Sequence, residues 1–111
     1  MVPSPSPSPL QLVREDLERE PLVPADAVRL WLRLQFELDE HRVPCRVSPV
    51  PQAWDFDGPV SRDLASVAVD GCLVCPVRRL CLQYALAADE RFGVWGALRP
   101  DERAALAEVA S

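Results

Sequence analysis

With 111 residues and a net charge of −5, the chain has room for one small domain, and its acidic balance argues against autonomous binding to nucleic acid or anionic membrane, both of which need basic patches. No apolar run approaches the roughly 20 residues that cross a bilayer, and the opening MVPSPSPSPL has neither the basic nor the apolar region of a secretory signal. The expectation is a cytoplasmic protein with a protein partner; in that reducing compartment four cysteines are metal ligands or redox groups before they are structural disulfides.

The twelve cations are all arginine, and lysine, isoleucine, asparagine and threonine are missing. Those residues have AT-leaning codons, which points to a G+C-rich genome. Residues 2–9, VPSPSPSP, form a Ser/Pro repeat that favours extended geometry and buries nothing. LQLVREDLERE, residues 10–20, is either a short solvated helix or more of the same leader, closed by Pro21 and Pro24. The expected organisation is a disordered leader over 1–24 and a folded domain over 25–111.

ADAVRLWLRLQFELDEH, residues 25–41, carries two patterns. Val28, Leu30, Leu32, Leu34, Phe36 and Leu38 alternate as in a strand, whereas Ala27, Trp31, Leu34 and Leu38 follow helical spacing. Length, the Leu, Arg, Gln and Glu content, and Asp26 as an N-cap favour the helix. From Val43 to Pro59, four prolines and a glycine predict an irregular loop carrying Cys45, Trp54 and Phe56. Ser61 caps a predicted helix over RDLASVAV, which Asp70 and Gly71 end just before Cys72. Pro76 suits the first position of the next helix, which runs to Phe92 with Val77, Leu80, Cys81, Tyr84, Ala85 and Ala88 near one face. A glycine-flanked turn, GVWGALRP, and a short helix, DERAALAEVA, complete an all-α domain.

The cysteines follow the pattern C-x26-C-x2-C-x5-C. Cys72 and Cys75 have the spacing at which two thiolates grip one metal centre, Cys81 follows on the helix that Pro76 starts, and the fold must bring in Cys45. Zinc favours a closed tetrahedral site, commonly made from two CxxC pairs, and only one is present. An iron–sulfur cubane accepts ligands from more dispersed positions, each thiolate meeting a different iron. Spacing leaves both open. A thioredoxin-like role for Cys72 and Cys75 would need a βαβ context that is absent, and His41 is a lone histidine beside an acidic helix end.

Taken together, Cys45, Cys72-x2-Cys75-x5-Cys81, the segment CPVRRLCLQYAL, an acidic residue and GVWGALRPDER resemble the WhiB-like transcriptional regulators of actinobacteria and their phages. The resemblance covers about Cys45 to Arg103. It implies a small helical domain organised around a [4Fe–4S] cluster held by Cys45, Cys72, Cys75 and Cys81, and a non-enzymatic regulator that binds region 4 of the primary sigma factor in RNA polymerase holoenzyme and responds to redox change or nitric oxide. Gly93, Val94, Trp95 and Gly96 are then the turn that presents a tryptophan anchor to the partner, and Trp54 and Phe56 stand in for the family's paired aromatics after the first cysteine.

Two further departures bear on function. Ala97 replaces a second glycine of the turn, and the basic tail of DNA-contacting members is missing, Arg103 being the last cation. Little independent contact with promoter DNA is therefore expected. The alternatives are a zinc-stabilised interaction module using the same four ligands, and a protein disulfide reductase using Cys72 and Cys75 in the cluster-free form.

Overall fold

The computed structural model describes residues 7–54 and 62–110. Its regular elements are helical, as expected: α1 (Pro9–Arg19), α2 (Ala27–Glu40), the single turn α3 (Pro44–Val47), α4 (Arg62–Leu73), α5 (Arg78–Ala87) and α6 (Pro100–Ala110), with a 3₁₀ turn at Pro51–Ala53. Among the described residues no helix is long and apolar enough to cross a membrane.

The central element is α5, because the sequence gives it two apolar sides. Leu82 enters a buried cluster with Val13 of α1, Leu98, and Leu106 of α6. Leu80, Cys81 and Tyr84 pack on the opposite side against Leu34 of α2, Val43 and Val77. A third cluster gathers Ala53, Trp54, Ala68, Val69, Cys72, Val94 and Ala97 between the 3₁₀ turn, α4 and the segment after Phe92. The described residues thus form three small cores, and the thiols lie where two of them meet, with Cys45 against both.

In α2 the helical pattern prevails over the alternating one. Asp26 caps the helix by accepting from the Arg29 amide at 3.3 Å, Leu30 and Leu34 are buried, and Val28, Leu32 and Phe36 face outward.

The folded chain begins earlier than its composition suggests. Ser8 accepts from the Gln11 amide at 3.1 Å and Pro9 takes the first turn of α1. Val13 is only 1% exposed. Asp16 accepts from Arg78 at 3.1 Å and Arg79 at 2.9 Å, and Arg79 also donates to the Glu20 carbonyl. One buried valine leaves almost no periodic signal, and the ion contacts that place α1 are non-local, so the sequence offers a solvated helix or leader here and not a docked helix.

Burial alone would raise the Asp16 pKa, but the hydrogen bonds and charges of Arg78 and Arg79 outweigh it and hold the carboxyl below its ordinary 3.8. A depressed carboxylate stabilises the fold above its unfolded pKa and loses that contribution as pH falls through the folded value. Asp16→Asn is therefore expected to melt below wild type at pH 7, with the difference closing as pH falls below the ordinary carboxylate value of 3.8. Parallel thermal melts across that range check it.

Two helix boundaries depart from expectation. Gly71 does not end α4; the helix continues through Cys72 to Leu73. Gly71 serves a close approach instead, since a Cβ there would lie 2.9 Å from Cζ2 of Trp54 and 3.0 Å from Cβ of Pro44. Helix propensity predicts that Gly71→Ala stabilises by about 1 kcal/mol. Overpacking against the indole is the larger effect at about 1–3 kcal/mol, so Gly71→Ala is expected to lower the melting temperature, and a raised one would refute this packing. The second departure is α5, which starts at Arg78 and ends at Ala87. Pro76 and Val77 form a turn before it, and Asp89 at φ 53° ends the helical path well short of Phe92. The predicted Ser61 cap lies outside the described residues.

Candidate metal centre

Each cysteine comes from a different local setting. Cys45 sits on α3, which Pro44 starts. Cys72 is in the last turn of α4, Cys75 in the following turn, where its amide donates to the Cys72 carbonyl at 3.1 Å, and Cys81 in the first turn of α5. All four are free thiols, and all four line one cavity of about 780 Å³, whose wall also includes Trp54, Arg78 and Trp95.

Burial pushes the thiols of Cys45, Cys72 and Cys81 upward, and neighbouring cysteine charges push in the same direction. Cys81 rises to about 12. Such thiols are poor free nucleophiles, since the thiolate is the reactive form. Metal ligation would supply the positive charge that lets them ionise.

The cavity's cationic wall fits that demand. Arg78 lines it and lowers the Cys72 pKa by its charge, and Arg78 Nη1 is buried with no protein hydrogen-bond partner. Donors also converge on the sulfurs: Trp54 Nε1 donates to Cys72 Sγ at 3.3 Å, the Ala97 amide to Cys72, and the Gly96 amide to Cys81. Four dispersed thiols around one volume, served by amide donors and an arginine, suit a group that meets each sulfur at a different atom. Among the described residues no group of three Cys, His, Asp or Glu side chains that could hold a single metal ion is found.

The turn after Phe92 closes the site. Trp95 and Leu98 exchange backbone hydrogen bonds at 3.1 Å each way, and between them Gly96 at φ 61° and Ala97 at φ 76° have the paired positive φ of a primed turn. Ala97 pays a conformational cost of about 1–2 kcal/mol for lacking glycine's freedom. Its methyl is fully buried in the third core beside Cys72, which offsets that cost. Gly93, at φ 75°, passes so close to the Trp54 carbonyl that a Cβ would lie 2.4 Å from it, and the next amide, Val94, donates to that carbonyl at 2.9 Å.

The predicted site residues divide into two groups. The four cysteines, Gly96, Val94, Trp95 and Trp54 all line the cavity, but Val94, at 4% exposed, and Trp54, at 9%, are core residues and not an outward surface. Their hydrogen bonds explain this: the Trp54 carbonyl and indole are both used internally. Trp95 is half-buried at the rim, donates from Nε1 to the Phe92 carbonyl at 2.9 Å, and lies against Tyr84 with ring centroids 5.4 Å apart. Phe56 lies outside the described residues.

Sequence reasoning missed three contributors. Trp31 of α2 continues the aromatic row, 5.1 Å from Tyr84, and Phe92 is 57% exposed on the cavity wall. Arg103 is the third. Counted in the sequence as the last cation, it is buried, and its guanidinium donates to the carbonyls of Gly93, Leu98, Glu90 and Phe92 at 2.7–3.2 Å. Its place in the first turn of the helix that follows the glycine-flanked turn was the available signal.

A small helical domain whose four thiols line one cavity beside a tryptophan turn defines the class of protein to which this chain belongs. Its family follows from comparison with known proteins: the profile described as Transcription factor WhiB matches residues 41–106, and the chain belongs to that family. It is 59% identical over 39 residues to the transcriptional regulator WhiB of Streptomyces coelicolor, covering 35% of this chain and 45% of that one. It is 62% identical over 32 residues to WhiB2 of Mycobacterium tuberculosis, covering 29% and 36%, and 41% identical over 54 residues to the probable regulator WhiB7 of the same organism, covering 49% and 54%. The matches thus span roughly a third to a half of these relatives, and α1 and α2 lie before the family segment.

Proposed function

We propose that the chain is a cytoplasmic transcriptional regulator that holds a [4Fe–4S] cluster through Cys45, Cys72, Cys75 and Cys81 and binds region 4 of the primary sigma factor. The observation that carries this is the single cavity lined by all four thiols, with Trp95 at its rim. When bound, the cluster would supply a redox- and nitric-oxide-sensitive centre that also staples α3, α4 and α5 together. The chain's own residues do the rest: the Gly96 and Ala97 amides and the Trp54 indole orient the sulfurs, and the turn offers Trp95, an aromatic anchor of the kind that dominates protein interfaces, to the partner.

Direct promoter contact has little to draw on here. Arg103 is buried, and the chain carries a net charge of −5.

The test is anaerobic purification with iron, acid-labile sulfide and zinc counted per chain, followed by binding to isolated sigma region 4. About four irons and four sulfides, a brown chromophore bleached by air or nitric oxide, and sigma binding weakened at least tenfold by bleaching or by Trp95→Ala are expected. One zinc and a colourless sample after anaerobic cluster reconstitution would replace the sensor with a passive zinc module. Strong sequence-specific DNA binding by the isolated chain would overturn the sigma-centred mode.

A further inference from the structure

We propose that Trp54 is a positioning residue for the metal centre: its indole N–H, donated to Cys72 Sγ at 3.3 Å inside the core, holds that sulfur and raises the reduction potential of the cluster it ligates. This rests on the assignment of a [4Fe–4S] cluster to the four cysteines.

The indole has little room to point elsewhere. Trp54 is 9% exposed, its Cζ2 edge abuts Gly71, and its own carbonyl is fixed by the Val94 amide at 2.9 Å. A residue needed at position 54 only for its volume could be phenylalanine; among core aromatics of that shape, the indole adds a donor. Trp95 provides a contrast within the same cavity, because its single N–H is spent on the Phe92 carbonyl.

A donor at a ligand sulfur favours whichever state places more negative charge on that sulfur, and this is the reduced state. Loss of the Trp54 donor therefore makes the reduced centre easier to oxidise and moves its potential to more negative values. The Ala97 amide also reaches Cys72, so the sulfur keeps one donor and the effect is partial.

Full-length wild type, Trp54→Phe and Trp95→Phe, purified anaerobically, would be compared by iron and sulfide content and by the one-electron midpoint from EPR-monitored titration. Trp54→Phe is expected to keep the wild-type iron and sulfide while its reduced-to-oxidised ratio at a fixed potential falls about tenfold, ~59 mV for one electron. Trp95→Phe is expected to leave the midpoint in place. Equal midpoints for wild type and Trp54→Phe at equal iron content would overturn the proposal.

A second measurement does not depend on Trp54→Phe folding. In chain labelled with ¹⁵N at the indole nitrogen, pulsed EPR of the reduced centre is expected to show a coupled ¹⁵N nucleus that persists in Trp95→Phe; its absence would overturn the proposal. Wild type that takes up no iron or sulfide would instead remove the cluster assignment itself, and the role of Trp54 with it.

Discussion

Gly96→Ala is expected to destabilise the domain by about 3 kcal/mol or more and to reduce iron uptake in anaerobic preparations to a small fraction of wild type. Two costs combine. At φ 61° an alanine occupies the left-handed region, at about 1–2 kcal/mol. Its Cβ would also lie 2.4 Å from the Leu82 Cβ, 2.9 Å from the Arg78 carbonyl and 2.9 Å from the Leu82 Cα, and two of those atoms are helix backbone. Backbone in the middle of a packed helix does not yield as a side-chain end does, so the turn must lift away from α5. Lifting it withdraws the Gly96 amide from Cys81 and the Ala97 amide from Cys72, which links the packing fault to the metal site.

The neighbouring position gives the control. Ala97→Gly relieves a positive φ while deleting a buried methyl, so the two effects largely cancel and the change is expected to stay within about 1 kcal/mol of wild type. Thermal melts and iron counts on both variants check the pair. Wild-type values for Gly96→Ala would show that the turn does not rest on α5.

The contrast between positions 96 and 97 shows what the sequence could and could not disclose. The cysteine spacing, the Gly-Val-Trp-Gly turn, the Asp26 cap and the helical face of α2 are local signals, and the fold follows them. Gly71 is a local signal that misleads: glycine commonly ends helices, but here its missing Cβ is a space for the Trp54 indole, and that contact joins segments far apart in sequence. Trp54 misleads likewise. The family resemblance placed it at a partner surface, and only the folded position of Cys72 and the Val94 amide shows that its carbonyl and indole N–H are used internally. The docking of the N-terminal helix was hidden for a related reason, because Asp16 finds Arg78 and Arg79 only after folding. Non-local contacts, which have no period in the sequence, account for each of these departures.

Arg103→Met should show the same dependence from the other side of the turn, with a loss of about 3 kcal/mol and a weakened Trp95 site. Methionine keeps much of the buried stem and removes the donors. Leu98 and Phe92 carbonyls retain Trp95 as a second donor, from its amide and its indole respectively. The Glu90 and Gly93 carbonyls have no other donor among the described residues; the Gly93 bond is buried and the Glu90 bond part-buried, and an orphaned buried acceptor costs about 1–3 kcal/mol. The buried Gly93 acceptor supplies most of the expected loss and the part-buried Glu90 acceptor the remainder, a large share of the roughly 5–15 kcal/mol that holds a domain together. Arg103→Lys keeps the charge, but a compact ammonium cannot span four carbonyls as the planar fork does, so its melting temperature should fall between methionine and wild type. Were Arg103 instead the remnant of a basic DNA-binding tail, either substitution would leave the fold intact and reduce the salt dependence of DNA binding by about one unit of slope. Melting and salt-titrated DNA binding of the same two variants therefore separate a clamp on the tryptophan turn from a phosphate contact, and the 3% exposure of this arginine predicts that the melting curve is the one that moves.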